Sequence, residues 1–219
     1  MTGTDPVTTV LDLDTPVGPG RAHVCRPPAP RGWLALGHGA GPSISTVDLV
    51  AARGAAVGEG FTVVLLEQPW LVAGRRIATR PAVLDQGWLA MVSAVRAELA
   101  GPLVVAGRSA GARVACRTAT ELSADLVLCL SFPLHPPGKP GSLRVDELLE
   151  PVSGGLPVHV VQGERDPFGT PEEIRAHAPG LSGIHPVPGT HTIPAAAAAA
   201  VARAVALAVR PALRGIPGR

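Results

Sequence analysis

The chain has 219 residues, with 19 Lys or Arg against 17 Asp or Glu, and a formal net charge of +2. This near balance, without a lysine- or arginine-rich run, argues against a nucleic-acid surface, and the length suits a single α/β domain over residues 1–219. Tyrosine is absent and only 3% of residues are aromatic, so the core must consist of Val, Leu and Ala.

Strands are predicted to alternate with helices along the chain. The first two strands, 7–13 and 21–25, are expected to pair as a hairpin over residues 7–25. The other strands are predicted at 33–36, 61–66, 103–106, 126–131, 157–162 and 183–187. The helices are predicted at 47–57, 82–99, 110–121, 171–178 and from about 194 onward. Because such an order gives parallel strands covered on both faces, we predict an α/β fold with a mostly parallel, twisted sheet.

The alanine-rich stretch after Pro194 could be mistaken for a membrane span. Arg203 and Arg210 interrupt it and alanine is weakly apolar, so a helix packed on the sheet is predicted instead. The first residues lack a basic region followed by an apolar core, so no signal peptide is expected. Three cysteines without metal-ligand spacing are predicted to be buried thiols: Cys25, Cys116 and Cys129. We expect a cytoplasmic protein without membrane contact, metal or cofactor.

The segment Gly107-Arg108-Ser109-Ala110-Gly111 joins a predicted strand to a predicted helix. This is the context of a nucleophile elbow, in which a sharp turn strains the serine backbone and requires small neighbours. Gly107 and Gly111 meet that requirement, and the helix would present its positive end to a developing oxyanion. The alternative is an ordinary turn, because a chain with 26 glycines can contain such a motif by chance. The presence or absence of catalytic partners for Ser109 distinguishes the two interpretations.

A serine nucleophile needs a histidine base and an acid that orients it, each placed after a strand. Asp166 follows the strand at 157–162 in a tight turn, and His191 follows the strand at 183–187 in a loop. Taken singly, an Asp-Pro pair is a common turn and a loop histidine is commonly solvated. The ordered trio favours catalysis. Glu164 is a competing acid, but it stands closer to the strand end, so Asp166 is preferred.

The glycine-rich loop at 37–41 is predicted to complete an oxyanion hole. One donor is the amide of Ala110, directly after the nucleophile, and the other is the amide of Ala40, after His-Gly. Similar loops cradle phosphates, but this one lacks the lysine of a phosphate loop. His38 is expected to brace the loop by hydrogen bonds and is also a candidate substrate-binding residue.

Residues 132–155, rich in proline and glycine, are predicted to form a short flap in place of a cap domain, with a helical turn or two at 143–149. His135 and Lys139 in this flap are candidates for binding an anionic group of a substrate. There are two alternatives to this substrate-binding role. The segment could be a rigid proline-rich loop, or His135, Lys139 and Arg144 could form a surface that binds a partner.

The order of Ser109, Asp166 and His191 on the predicted sheet resembles the α/β-hydrolase fold. Four segments are also similar to a dienelactone-hydrolase-like group that includes testis-expressed protein thirty and the third subunit of a chromatin acetyltransferase complex: 38–41, 107–113, 132–140 and 162–169. The resemblance covers about residues 20–210 and implies an α/β-hydrolase fold. Ser109 departs from dienelactone hydrolases proper, which have cysteine there, and Ala110 departs from the methionine of many relatives.

Two functions fit these observations. The first is a serine hydrolase that cleaves small acyl esters or thioesters through a Ser109–His191–Asp166 triad and an acyl-enzyme. The second is a binding or scaffold module that keeps this constellation with little or no turnover, as the chromatin subunit of the similar group suggests. The complete triad favours the first function, an enzyme with a small-molecule acyl substrate. The sequence specifies no oligomeric state.

Overall fold

In the computed structural model, which describes residues 7–97 and 100–214, eight strands form one sheet. They are β1 (Val7–Leu13), β2 (Gly20–Arg26), β3 (Gly32–Gly37), β4 (Phe61–Glu67), β5 (Leu103–Arg108), β6 (Leu126–Leu130), β7 (Val158–Gly163) and β8 (Gly183–Val187). Their order across the sheet is β1-β2-β4-β3-β5-β6-β7-β8. Strands β3 to β8 run parallel, which confirms the mostly parallel sheet.

The predicted amino-terminal hairpin is present. Strands β1 and β2 pair antiparallel from Val7 opposite Arg26 to Leu13 opposite Gly20. Strand β2 then pairs antiparallel with β4, so the hairpin extends the parallel sheet by two strands.

Within the described residues, seven α-helices connect or cover the strands. They are α1 (Val47–Gly58), α2 (Pro69–Val72), α3 (Pro81–Arg96), α4 (Ala110–Thr118), α5 (Val145–Ser153), α6 (Pro171–His177) and α7 (Ala198–Val209). Five of them lie where helices were predicted, although residues 98 and 99 of the predicted helix at 82–99 lie outside the described part of the chain. Helix α2 was not predicted, because four residues are too few to show a helical period.

The helices form two layers, one on each face of the sheet. Strand β3 shows the alternation: Leu34 and Leu36 pack on the α1 and α7 side, whereas Trp33 and Ala35 pack on the side of α3 and α4. Both faces are apolar because both are covered, as expected for a parallel sheet.

The alanine-rich stretch at the carboxyl end packs as a core helix. Among the described residues, Ala195–Arg214 is the one helical segment long and apolar enough to cross a membrane, with a mean hydropathy of 1.5. Val201, Val205 and Val209 of α7 are buried against α1 and strands β6 to β8. The predicted packing of this helix on the sheet is confirmed.

Residues 132–155, the predicted flap, contain more helix than predicted. Helix α5 runs past the predicted turns at 143–149, and Leu148 and Pro151 are buried where it packs on α4. Pro151 lies in the last turn of α5. Its missing amide donor removes one hydrogen bond but does not end the helix before Ser153. The segment is therefore mainly the helical crossover that two parallel strands, β6 and β7, require. Its continuous exposed part is limited to residues 137–143.

Two histidines pair on neighbouring strands near the edge of the sheet. His159 Nδ1 lies 3.2 Å from Nε2 of His185, and the rings stack with centroids 5.4 Å apart. Burial, and after it the positive charge of a protonated His185, lowers the pKa of His159 to about 4. Burial also lowers the pKa of His185. The native pair is therefore neutral at pH 7.

Because of this neutral pair, we expect the free energy of unfolding to decrease in mild acid. An unfolded histidine takes up a proton near pH 6.5, so as the pH falls from 6.5 to 4 the unfolded chain binds a proton that native His159 does not. Between pH 7 and pH 5 we expect His159 to contribute a decrease on the order of 1 kcal/mol in the free energy of unfolding. Urea titrations at both pH values measure it. His159→Gln should remove this part of the decrease in the free energy of unfolding, whereas His177→Gln, at an exposed position, should not. Equal decreases in wild type and both variants would contradict the prediction.

Candidate active site

The candidate residues meet at the carboxyl edge of the sheet. Strands β3 and β5 are neighbours although β4 lies between them in sequence, so the chain order reverses there and the loops that follow these strands border a crevice. The loop at 37–41 follows β3, and Ser109 follows β5. Asp166 and His191 follow β7 and β8, on the far side of β5.

Ser109 occupies a strained turn between β5 and α4. Its φ of 53° and ψ of −110° are rare for a residue with a side chain, and its amide donates to the carbonyl of Leu130 at 2.9 Å. A Cβ on Gly107 would lie 2.3 Å from the carbonyl carbon of Gly111, and a Cβ on Gly111 would lie 2.7 Å from the backbone of Gly37. The backbones thus approach too closely for any residue but glycine, and this approach fixes the turn.

A hydrogen-bonded chain links the three predicted triad residues. Ser109 Oγ lies 2.9 Å from Nε2 of His191, and Nδ1 of His191 lies 2.9 Å from Oδ2 of Asp166. A carboxylate only accepts, so Nδ1 carries the ring proton and Nε2 is left to accept from the serine hydroxyl. Asp166 is buried, whereas 15% of the His191 side chain is exposed. This is the arrangement of a nucleophile, a base and an orienting acid.

Gln162 holds Asp166 in place, a role that sequence reasoning missed. Its Nε2 donates to Asp166 Oδ2 at 3.0 Å and to the carbonyl of Gly169 at 2.7 Å. Its Oε1 accepts from the amide of Phe132 at 2.8 Å, and the side chain is fully buried. The other carboxylate oxygen of Asp166 accepts from the amide of Phe168 at 2.9 Å. The available signal was a polar residue directly after the apolar pair Val160-Val161, at the end of β7.

Arg108 is a second residue whose role was not predicted. Its Nη2 donates to the carbonyl of His191 at 2.7 Å, and its Nε donates to Oδ2 of buried Asp48 at 3.3 Å. The guanidinium therefore connects the histidine loop to the first turn of α1. In addition, the ring centroids of Phe168 and His191 are 4.1 Å apart. Together these contacts restrict the position of the imidazole.

The His38 ring braces the glycine-rich loop through two hydrogen bonds. Its Nδ1 donates to the carbonyl of Gly39 at 2.7 Å, and its Nε2 accepts from the amide of Gln68 at 3.1 Å. Burial lowers the pKa of His38, which favours the neutral ring that this pair of bonds requires. Both nitrogens are occupied, so a substrate could meet only the carbon edge of the ring; the substrate-binding role stays a prediction.

The amides predicted for the oxyanion hole are available. Within the described residues, neither the amide of Ala40 nor that of Ala110 donates to another protein group. Ala110 is the first residue of α4 and borders a cavity together with Gly39, whereas Ala40 is exposed in the loop that follows. Helix amides of this kind have no partner within the helix, so they are suited to stabilise an anion.

The two candidates in the predicted flap lie apart from this chain of hydrogen bonds. His135 is buried, donates from Nδ1 to the carbonyl of Pro136 at 3.0 Å, and has Nε2 3.5 Å from Glu173 Oε1. Lys139 is exposed in the turn that follows. Neither side chain hydrogen-bonds to Ser109, so their binding of an anionic substrate group stays a prediction. No group of three or more potential metal ligands lies together in the described part of the chain.

Solved structures with the same fold are numerous. A serine hydrolase without a lid from Xanthomonas campestris has a TM-score of 0.73 at 20% identity, covering 99% of both chains. Est1E from Butyrivibrio proteoclasticus has a TM-score of 0.73 at 15% identity, covering 98% of this chain and 100% of its own. The esterase domain of a Rhodothermus marinus protein has a TM-score of 0.72 at 13% identity, covering 94% and 100%. At these identities the likeness shows the fold.

Comparison of the sequence with known proteins and families identifies the family of this chain. No curated protein matches the chain significantly. The family described as an alpha/beta hydrolase domain matches residues 30–186, which is well over half of the chain and includes β3 to β7, most of β8, Ser109 and Asp166. With the eight-stranded, mostly parallel sheet and its helices on both faces, this match shows that the chain belongs to the α/β-hydrolase domain family.

Proposed function

We propose that this protein is a serine hydrolase that cleaves small acyl esters or thioesters through an acyl-enzyme on Ser109. The observation that carries the proposal is the hydrogen-bonded chain from Ser109 through His191 to Asp166, with a distance of 2.9 Å at each step. The strained turn at Ser109 presents the hydroxyl at the start of a helix, beside amides that have no protein acceptor.

The first half-reaction forms the acyl-enzyme. Ser109 Oγ attacks the carbonyl carbon of the substrate, and its proton moves to Nε2 of His191. Asp166 holds the other ring nitrogen and stabilises the imidazolium. The amides of Ala40 and Ala110 donate to the oxygen that becomes negative. The bond to the leaving oxygen or sulfur then breaks, and His191 gives its proton to that atom, which releases an alcohol or a thiol.

The second half-reaction regenerates the enzyme. His191 Nε2 takes a proton from a water molecule as the water oxygen attacks the acyl carbon. The bond to Ser109 Oγ breaks, the proton returns to that oxygen, and a carboxylic acid leaves. No step needs a cofactor.

The relatives support the chemical class of this proposal. Est1E, which shares the fold, has been solved with ferulic acid bound, and a carboxylic acid is the product of ester cleavage on the acyl side. A position within the dienelactone-hydrolase-like group is part of the proposal and rests on the sequence resemblance alone. A scaffold function in the cytoplasm is the competing possibility, and the experiment below separates it from catalysis.

Labelling with a fluorophosphonate tests the proposal. The probe reacts with serine nucleophiles that a base activates, so the intact mass of the protein should increase by one adduct per chain. Ser109→Ala should show no adduct. Ser131→Ala should label like the wild type, because Ser131 shares the positive φ and the strand-end position of Ser109 but has no histidine partner in the described structure. A folded wild-type protein without an adduct would contradict the hydrolase and favour the scaffold.

A further inference from the structure

One cavity borders the residue that follows the nucleophile, and a second cavity shares two lining residues with it. The first borders Ala110 and is otherwise lined mainly by apolar side chains, among them Leu84, Trp88 and Val114. The second lies toward the turn of the amino-terminal hairpin at Gly18. Gln68 and Trp70 line both cavities, so their side chains separate one from the other.

The first cavity lies on the acyl side of a bound ester. His191 follows β8, so it approaches Ser109 from the β6 to β8 side of β5. The leaving group must lie on that side, because His191 protonates it. The acyl group then extends the other way, toward β3 and β4. The residues that follow those two strands, Gly39 and Gln68, line the first cavity.

The space there is very small. The first cavity has a volume of about 10 Å³, and a single water molecule needs roughly 10–15 Å³ by the same measure. This leaves room for a group no larger than about one water molecule or one methyl group. The second cavity has a volume of about 260 Å³. Trp70 is 4% exposed and its ring lies 5.4 Å from the ring of His38, so the dividing wall is packed in place.

We infer that the protein is selective for acetyl esters and thioesters, with Trp70 as the residue that sets the acyl length. This inference rests on the proposed function of the same site. A longer acyl chain would have to displace the indole, which is held between the two cavities. A smaller residue at position 70 would join them, and the second cavity would accommodate the additional methylene groups.

The test compares acyl chain lengths in wild type and variants. The kcat/KM values for p-nitrophenyl acetate, butyrate and octanoate are measured with wild type, Trp70→Ala and Trp70→Leu. Trp70→Leu is included because complete removal of a buried indole can unfold the protein. Ile77→Ala is the matched control, since Ile77 belongs to the same segment, is 82% exposed and lines neither cavity.

The expected result is a preference of wild type and Ile77→Ala for acetate over octanoate of roughly 100-fold or more, given the 10- to 200-fold effect of one methylene in a tight pocket. At least one folded Trp70 variant should lower this ratio about tenfold or more by gaining activity on octanoate. Equal rates of wild type on acetate and octanoate, or an unchanged ratio in both variants, would overturn the inference while Ser109 still labels and turns over esters. A protein without labelling and without ester hydrolysis would overturn the proposed function and this inference together.

Discussion

Replacing Ser109 by Ala, or His191 by Ala, is expected to reduce kcat for ester hydrolysis by roughly 10⁴- to 10⁶-fold. The two side chains share one hydrogen bond and act as a unit, so the Ser109→Ala/His191→Ala double variant should be no slower than either single variant. KM should change little, because neither side chain adds much to ground-state binding. Steady-state kinetics with p-nitrophenyl acetate measure all three variants.

Matched substitutions separate catalysis from folding. Ser131→Ala removes a hydroxyl from the neighbouring strand end, where φ is 49°, and His177→Ala removes an imidazole from the exposed end of α6. Both should keep kcat within a few-fold of wild type. Circular dichroism should show all variants folded. Full activity in folded Ser109→Ala would place the nucleophile elsewhere, and additive losses in the double variant would show that the two residues do not act together.

The fold was largely predictable because the sequence repeats one simple pattern. Continuous apolar runs marked the buried parallel strands, and the intervening periodic segments marked most helices. Where prediction failed, the cause was local. Helix α2 has four residues, too few for a period, and α5 continues through Pro151 because its apolar side packs on α4. The many prolines and glycines of residues 132–155 therefore led to a prediction of too little helix there.

The predicted site residues come together in part. Ser109, Asp166 and His191 could be proposed from sequence because each follows its own strand, and parallel strands end at one edge. Gln162 and Arg108 could not. Arg108 donates to the carbonyl of His191, and Gln162 is fixed by the amide of Phe132, and both of these partners are distant along the chain. Such bonds depend on the tertiary structure and leave no periodic signal in the sequence. The same holds for Trp70, whose position between two cavities depends on how α2 packs.

Replacing Gly107 by Ala is expected to destabilise the protein by more than about 3 kcal/mol, which exceeds the usual cost of overpacking. The added Cβ would lie 2.3 Å from the carbonyl carbon of Gly111, so the backbone of β5 or α4 would have to move. The three atoms nearest to this Cβ belong to the backbone of Gly111 and Ala112, which cannot move aside as the end of a flexible side chain could. Since small domains are stable by only about 5–15 kcal/mol, the loss should be visible as a large decrease in the urea midpoint or as failure to fold.

Gly54→Ala is the informative counterpart to Gly107→Ala. Gly54 lies on the exposed side of α1, and a Cβ there would meet nothing within 4 Å. Alanine in a helix interior stabilises by about 0.5–1 kcal/mol relative to glycine, so this variant should unfold at a higher urea concentration than wild type. The same chemical change would thus act in opposite directions at two sites. Glycine is required at position 107 because β5 and α4 approach each other closely there. Equal stabilities of the two variants would therefore mean that this close approach does not hold the Ser109 turn.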